Sequence, residues 1–182
     1  MKNKKSILNV TITAIFISVI VLTTQIKFST GIGEGYIHIG DCMVYLSACV
    51  LPFPYCFLAA MLGGAFADIL AGYSIWAIPT AIIKMLNTIP FVLATDKSKI
   101  ITKKVAFMPL VSGVITVVGY FIAESILYSV ASATLSIVGS CIQAICNGII
   151  FYICASALDK ANFKRRINNG WYCLYLWKSS LS

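Results

Sequence analysis

Apolar residues run through this chain in long blocks, separated by short polar or charged stretches. A bilayer core about 30 Å thick takes about 20 residues of apolar helix to cross. Measured against that length, the pattern predicts helices over about 7–26, 42–51, 55–70, 75–94, 105–129 and 135–158. The first block follows a basic start, as a signal peptide would. No small-x-small cleavage site follows it, so it reads as a retained helix. The second block is only half a bilayer long and ends at Pro52-Phe-Pro54, because proline lacks a backbone donor and disfavours helix before it. The third is rich in small residues (Ala59, Ala60, Gly63, Gly64, Ala65, Ala67), which let helix backbones approach closely in lipid. Pro79 falls in the first turn of the fourth, where a missing N–H does little harm, and Pro90 predicts a kink further in. Residues 130–134 read as a short uncharged link between the last two spans.

The pattern therefore predicts an all-α polytopic membrane protein with six transmembrane helices. The whole chain, residues 1–182, reads as a single integral membrane domain. Composition agrees: 59% of residues are hydrophobic and only 11% charged, against roughly 25% charged in soluble domains. Too few charges remain to cover a water-facing surface.

The net charge of +8 raises nucleic acid as a partner, but its distribution argues for a bilayer. Basic residues cluster at Lys2, Lys4 and Lys5, at Lys97, Lys99, Lys103 and Lys104, and from Lys160 through Lys164, Arg165 and Arg166 to Lys178. Six crossings with a cytoplasmic N-terminus bring all three clusters to the cytoplasmic side. Of 14 Lys and Arg, only Lys27 and Lys84 are excepted, leaving 12 inside. This is the positive-inside bias, and the clusters also suit anionic lipid head groups. Both termini are expected in the cytoplasm and the chain in the cell (plasma) membrane. The aromatic tail 170–178 is too short to span and reads as interfacial or unordered.

Polar groups inside a membrane are costly, so those retained need a reason. Lys84 lies near the middle of the fourth span, with Thr80 and Asn87 on the same face. Tyr120, Glu124 and Tyr128 share a face of the fifth, and Ser136, Ser140, Gln143 and Asn147 a face of the sixth, by three- and four-residue spacing. These stripes converge on a cavity open to the outside. Tyr36, Tyr120, Tyr128 and Trp76 are placed to stack on an aromatic ring. Lys84, Asn87, Gln143 and Asn147 are placed to hydrogen-bond its rim. The glycine-rich stretch 31–41, carrying Tyr36 and His38, has the backbone freedom of a lid. The competing reading is helix stapling, with Lys84 paired to Asp68 or Glu124 and the amides bonding across helices. Asp68, near the outer end of its helix, reads as structural.

Enzyme chemistry has no footing here. Gly31-x-Gly33-x-Gly35 lacks dinucleotide spacing, and no phosphate-binding loop, zinc-binding His-Glu-x-x-His or nucleophile elbow occurs. One histidine, His38, offers little acid–base machinery and no metal site; it reads as a lid or substrate contact. Seven cysteines without a C-x-x-C pair read as packing residues. No cofactor is expected. Energy for uphill movement has to come from an ion gradient or a partner.

Gly35-Tyr-Ile-His-Ile-Gly-Asp41, Leu46, Leu51-Pro52, Gly63-Gly-Ala-Phe-Ala-Asp-Ile-Leu-Ala-Gly-Tyr73 and Ala77-Ile-Pro-Thr-Ala-Ile-Ile-Lys84 resemble the S components of energy-coupling factor (ECF) transporters. The branch is the riboflavin-type one, which includes thiamine-precursor importers. The resemblance is specific over residues 35–84. It implies six helices, an outward vitamin pocket, and docking on a transmembrane coupling subunit with two cytoplasmic ATPases. The family often has Asn where His38 stands and Gly-Pro where Leu51-Pro52 stands. Its docking motif Ala-x-x-x-Ala is met here by Ala14-x-x-x-Ser18, the expected partner-binding pair. The function so implied is capture of a vitamin or precursor, riboflavin-like or a thiamine pyrimidine precursor. The alternative is a membrane assembly or sensor subunit that transports nothing.

Overall fold

A computed structural model describes residues 2–29, 36–96, 99–165 and 167. Helix α1 (Lys2–Gln25) leads into two short antiparallel strands, β1 (Lys27–Ser29) and β2 (Tyr36–His38), with Lys27 opposite His38. Then come α2 (Gly40–Val50), α3 (Tyr55–Leu70), α4 (Ala77–Ala94), α5 (Met108–Leu127) and α6 (Val130–Lys160). Single 3-10 turns, Ser74–Trp76 and Val105–Phe107, lead into α4 and α5. Four helices (α1, α4, α5, α6) are long and apolar enough to cross a membrane, whereas α2 and α3 are shorter apolar helices.

Contacts between helix ends fix their directions. At one end, the Ser6 and Tyr55 hydroxyls lie 3.3 Å apart. At the same end the Thr95 hydroxyl donates to the Cys49 carbonyl, Lys164 Nζ donates to Thr95 at 2.7 Å, and the Asp159 carboxylate accepts from the Ile100 and Ile101 amides at 2.8 Å each. At the other end Gln25 Nε2 donates to the Ala67 carbonyl at 2.8 Å. Successive helices therefore alternate in direction, and Lys99, Lys103, Lys104, Lys160, Lys164 and Arg165 gather at one end.

The packing inverts that of a soluble protein. Outward positions are apolar: Ile78, Leu93, Leu110, Ile126, Leu135 and Ile145 are all exposed. Inward ones include Asp41, Ser47, Lys84, Asn87, Thr88, Ser112, Thr116 and Asn147, each at 1% exposure or less. Lipid is the solvent that suits both lists. Helix α2 is the centre, buried over nearly its whole length and packed on α1, α3, α4 and α6. Tyr45 of α2 stacks on Phe91 with centroids 4.7 Å apart, and Phe151 closes on Phe91 at 5.1 Å. Gly63 and Gly64 place α3 between two neighbours. A Cβ on Gly63 would lie 2.8 Å from Ile20 of α1, and one on Gly64 3.0 Å from Lys84 of α4.

Helix α3 ends as its sequence directs. Gly72 adopts φ +83°, a conformation open to glycine. The Tyr73 amide bonds the Asp68 carbonyl at 2.9 Å and the Gly72 amide bonds that of Ile69 at 3.1 Å, the paired closure of a Schellman turn.

Several boundaries differ from the sequence expectation. Residues 130–134, expected as a link, are the first turn of α6. Ser129 caps it by accepting from the Ser132 amide, and no glycine or proline within it opposes helix. The fifth span ends at Leu127 rather than 129. The stretch before α2, expected as loop, contains the β1–β2 pairing. The aromatic tail and the glycine-rich tip 30–35 lie outside the described residues.

The expected partners of Lys84, Asp68 or Glu124, are also corrected. Lys84 forms an ion pair with Asp41, in the first turn of α2, and both side chains are essentially fully buried. Position explains the choice: α2 begins at mid-depth, so its N-terminus meets α4 where Lys84 emerges. Breaking such a pair by removing one partner leaves an uncompensated charge, at about 3–5 kcal/mol. Asp41→Ala or Lys84→Met alone is expected to lower the thermal midpoint of detergent-solubilised protein sharply. The double substitution Asp41→Leu/Lys84→Met is expected to recover most of the loss. Additive losses in this double-mutant cycle would show that the two charges do not depend on each other.

Candidate functional site

Helix α2 covers only about 16 Å at 1.5 Å per residue, running from mid-depth to the basic end. The opposite half of the bundle is left to the β1–β2 ribbon and a cavity of about 370 Å³. The cavity sits among α3, α4, α5 and α6 and opens beside the α3–α4 and α5–α6 turns, at the end away from the basic clusters.

One wall is aromatic. Trp76 stands 6.0 Å by centroid from both Tyr120 and Tyr128, and Tyr73 lines the cavity on the α3 side. The facing wall is hydroxyl-rich, with Ser132, Ser136 and Ser140 of α6. Glu124 Oε1 accepts from Ser132 at 2.7 Å and from Ser136 at 2.9 Å. Asp68 reaches the cavity from α3 and Thr80 from α4, with the Tyr120 hydroxyl donating to Thr80 at 3.4 Å.

The floor is a connected polar layer. Gln143 Nε2 donates to Asp41 Oδ2 at 3.0 Å and lies 3.3 Å from His38 Nε2. Asn147, one turn deeper, accepts from the Cys42 amide at 3.0 Å and donates to the His38 carbonyl at 2.8 Å. It thus satisfies backbone groups at the point where ribbon becomes helix, which have no intrahelical partner. Lys84 Nζ, while paired with Asp41, lies 5.3 Å from the Tyr120 ring centroid.

Of the expected site residues, His38, Glu124, Tyr128 and Gln143 line the cavity. Lys84 and Asn147 lie beneath it and hold its floor. Asn87 is deeper still, donating to the Thr116 hydroxyl at 2.8 Å, with its own carbonyl accepting from Ser112 at 2.9 Å. The Tyr36 side chain lies outside the described residues, as does the tip of the expected lid. Ala14 and Ser18 are both exposed on α1, with the Ser18 hydroxyl bonded back to the Ala14 carbonyl at 3.0 Å.

Sequence reasoning missed Asp41, the counter-charge, and took Asp68 as structural although it lines the cavity. A signal existed for the first. Asp41 opens an otherwise uncharged half-helix, where a carboxylate suits the positive helix N-terminus. Ser132 escaped because residues 130–134 were read as a link; once helical, it extends the Ser136–Ser140–Gln143–Asn147 stripe by one turn.

His38, at the end of β2, has both ring nitrogens facing N–H groups: Gly40 N at 3.2 Å from Nδ1 and Gln143 Nε2 at 3.3 Å from Nε2. Protonation would present a donor to a donor. The ring is buried, and with a donor at each nitrogen the neutral imidazole is the native form. In the unfolded chain the ring protonates near pH 6.5, so the unfolded state gains a proton that the folded site has no acceptor for, and stability falls as pH drops below about 6.5. Thermal midpoints in detergent are expected to fall from pH 7 to pH 4.5, more steeply in the native protein than in His38→Gln. Parallel profiles would refute the assignment.

No curated protein matches this chain significantly. The family model described as "ECF-type riboflavin transporter, S component" matches residues 4–160. That match covers most of the chain, all six helices included, and agrees with a multi-pass bundle holding a solute-sized cavity. A family of transporter subunits also accounts for the missing catalytic set. The chain belongs to the S components of ECF-type riboflavin transporters: it is an integral membrane, substrate-binding transporter subunit and not an enzyme.

Proposed function

We propose that the protein captures a vitamin or vitamin precursor from the outer face and delivers it inward, docked on a transmembrane coupling subunit with two cytoplasmic ATPases. All six helices cross the bilayer in this reading, with both termini and the 96–104 loop in the cytoplasm. The observation that carries it is the cavity of about 370 Å³, walled by aromatic rings on one side and hydroxyls on the other, opening away from the basic end. Its size falls in the range of small-molecule sites. Helix alternation supports the even number of crossings, and the positive-inside bias supports the orientation.

Within this reading Tyr128 and Trp76 flank a flat ligand. His38, Glu124 and Gln143 contact its polar edge, with Tyr36 contributing from the ribbon. Lys84, Asn87 and Asn147 act from beneath, by fixing the floor rather than by touching solute. Exposed Ala14 and Ser18 offer a close-packing seam to the coupling subunit. The family's association with riboflavin makes it the first ligand to try, with thiamine pyrimidine precursors next.

Purified protein is expected to bind one vitamin or precursor with nanomolar-range affinity. Trp76→Ala should weaken that binding by about 10-fold or more, since stacking on an aromatic contributes about 1–3 kcal/mol, while leaving the melting temperature nearly unchanged. Absence of any tight ligand across the vitamins would sink the reading. A second check concerns orientation: single cysteines introduced at Lys99 and at Ser129, in a background lacking the native cysteines, are expected to react with impermeant reagent only at Ser129 in intact cells. Labelling at Lys99 instead would overturn the topology.

A further inference from the structure

A separate hollow, of about 820 Å³, lies between α4 and α5 at the basic end. Its lining is apolar, with Pro90 and Leu93 of α4 facing Phe107 and Val111, except where Lys103 and Lys104 join it. Along α4 it reaches from Ala94 to Leu86, eight residues apart, or about 12 Å at 1.5 Å per residue. One leaflet of hydrocarbon is about 15 Å deep, half of the bilayer core.

The packing of the two helices explains the opening. Near mid-depth they touch: a Cβ on Gly119 would lie 2.9 Å from Ile83, and Asn87 bonds Thr116 on the inner side. Toward the basic end Pro90 interrupts the α4 ladder, because it has no amide for the Leu86 carbonyl. Leu93 and Phe107 are left exposed on either side of the seam.

The two lysines stand on an anchored segment. Before them, the Ile100 and Ile101 amides bond the Asp159 carboxylate. After them, the Phe107 amide bonds the Lys104 carbonyl at 3.2 Å, and the Tyr152 hydroxyl donates to the Ala106 carbonyl. Both lysine side chains are exposed, and neither makes an ion pair among the described residues. Two unpaired ammonium groups thus sit at the head of an apolar channel about one leaflet deep. An alkyl chain suits the channel, and a phosphate suits the lysines.

We propose that this groove seats one anionic phospholipid of the leaflet at the basic end, with an acyl chain between α4 and α5 and the phosphate on Lys103 and Lys104. A zwitterionic head group fits less well, since it brings its own cation to the same two ammonium groups. The seat and the expected docking seam are on different faces: Ala14 and Ser18 lie on α1, which packs on α2 and α3.

The test uses full-length protein in mild detergent, titrated with phosphatidylglycerol or phosphatidylcholine of identical chains and read by native mass spectrometry. The first phosphatidylglycerol is expected to bind at least about 10-fold more tightly than the first phosphatidylcholine. Lys103→Gln/Lys104→Gln should weaken phosphatidylglycerol by about 10-fold or more and shift phosphatidylcholine by less than about 3-fold. Lys160→Gln/Arg165→Gln removes the same charge at the same end but outside the groove, and should shift either lipid by less than about 3-fold. Val111→Trp, which fills the channel from an exposed position, should weaken both lipids. Thermal melts without added lipid establish that each variant is folded. Should Val111→Trp fail to fold, the two charge pairs still decide. Equal binding of the two lipids, an equal loss in both charge pairs, or a folded Val111→Trp that binds lipid normally would overturn the proposal. So would a Val111→Trp protein that no longer co-purifies with its coupling subunit or changes oligomeric state, since the groove would then belong to a protein partner.

Discussion

A lysine at mid-depth in a bundle with lipid around it cannot stay charged and alone. Lys84 of α4 has Asp41 as its partner, and the position of Asp41 constrains everything near it. The carboxylate has to reach the ammonium from an element that ends at that depth. Helix α2 does so by starting there: its first turn carries Asp41, and its peptide dipoles favour a negative side chain at that end. The ion pair thus goes with a helix of half length, and neither makes physical sense without the other. A full-length α2 would present unbroken helix to Lys84, and a half-length α2 without Asp41 would leave its N-terminus and the ammonium facing one another.

A half-length helix leaves half a bundle unfilled. In that space the chain places a two-stranded ribbon and a cavity. Backbone groups at the ribbon–helix junction lie at membrane depth, where water is not the default partner. Asn147 supplies the partners, bonding the Cys42 amide and the His38 carbonyl. Gln143, one turn up, joins Asp41 to His38. One face of α6 therefore does two jobs: its deeper residues complete the backbone of the junction, and its shallower serines line the cavity and hold Glu124. The spacing that makes these residues neighbours is ordinary helical periodicity, which is why a substitution at one level is felt at the next.

Much of this was legible in the residues. Apolar blocks gave the helices because hydrocarbon leaves backbone hydrogen bonds nowhere else to go. Pro52 and Pro54 marked the end of α2, and Gly72 the end of α3. The stripe Ser136–Ser140–Gln143–Asn147 was visible because one helix carries it. What could not be read was pairing between helices. The sequence offered Asp68 and Glu124 as partners for Lys84, and finding Asp41 instead requires knowing that α2 runs beside α4 with its start at the depth of Lys84. The first turn of α6 was hidden for a different reason: Val130 to Thr134 are small and uncharged, neutral between link and helix. Only the Ser129 cap and the packing of Ala133, which is 1% exposed, settle it. The ribbon was missed because three-residue strands carry no periodicity.

Burial alone does not separate residues that hold a membrane protein together from those that hold its solute, since both are buried and polar. The state of their hydrogen bonds does. Lys84, Asp41 and Asn147 face one another or backbone, and their bonds close within the protein. Removing one strands another, so their effect falls on stability. Asp68 and Glu124 face the cavity, and each has an oxygen with no bond inside the described chain. At Asp68 the idle oxygen is buried without a partner among the described residues and carries a cost with no return in packing, whereas Glu124 has Ser132 and Ser136 on its other oxygen. A solute that brings donors into the cavity turns that cost into affinity. The unspent acceptor is thus where this bundle departs from a merely stapled one.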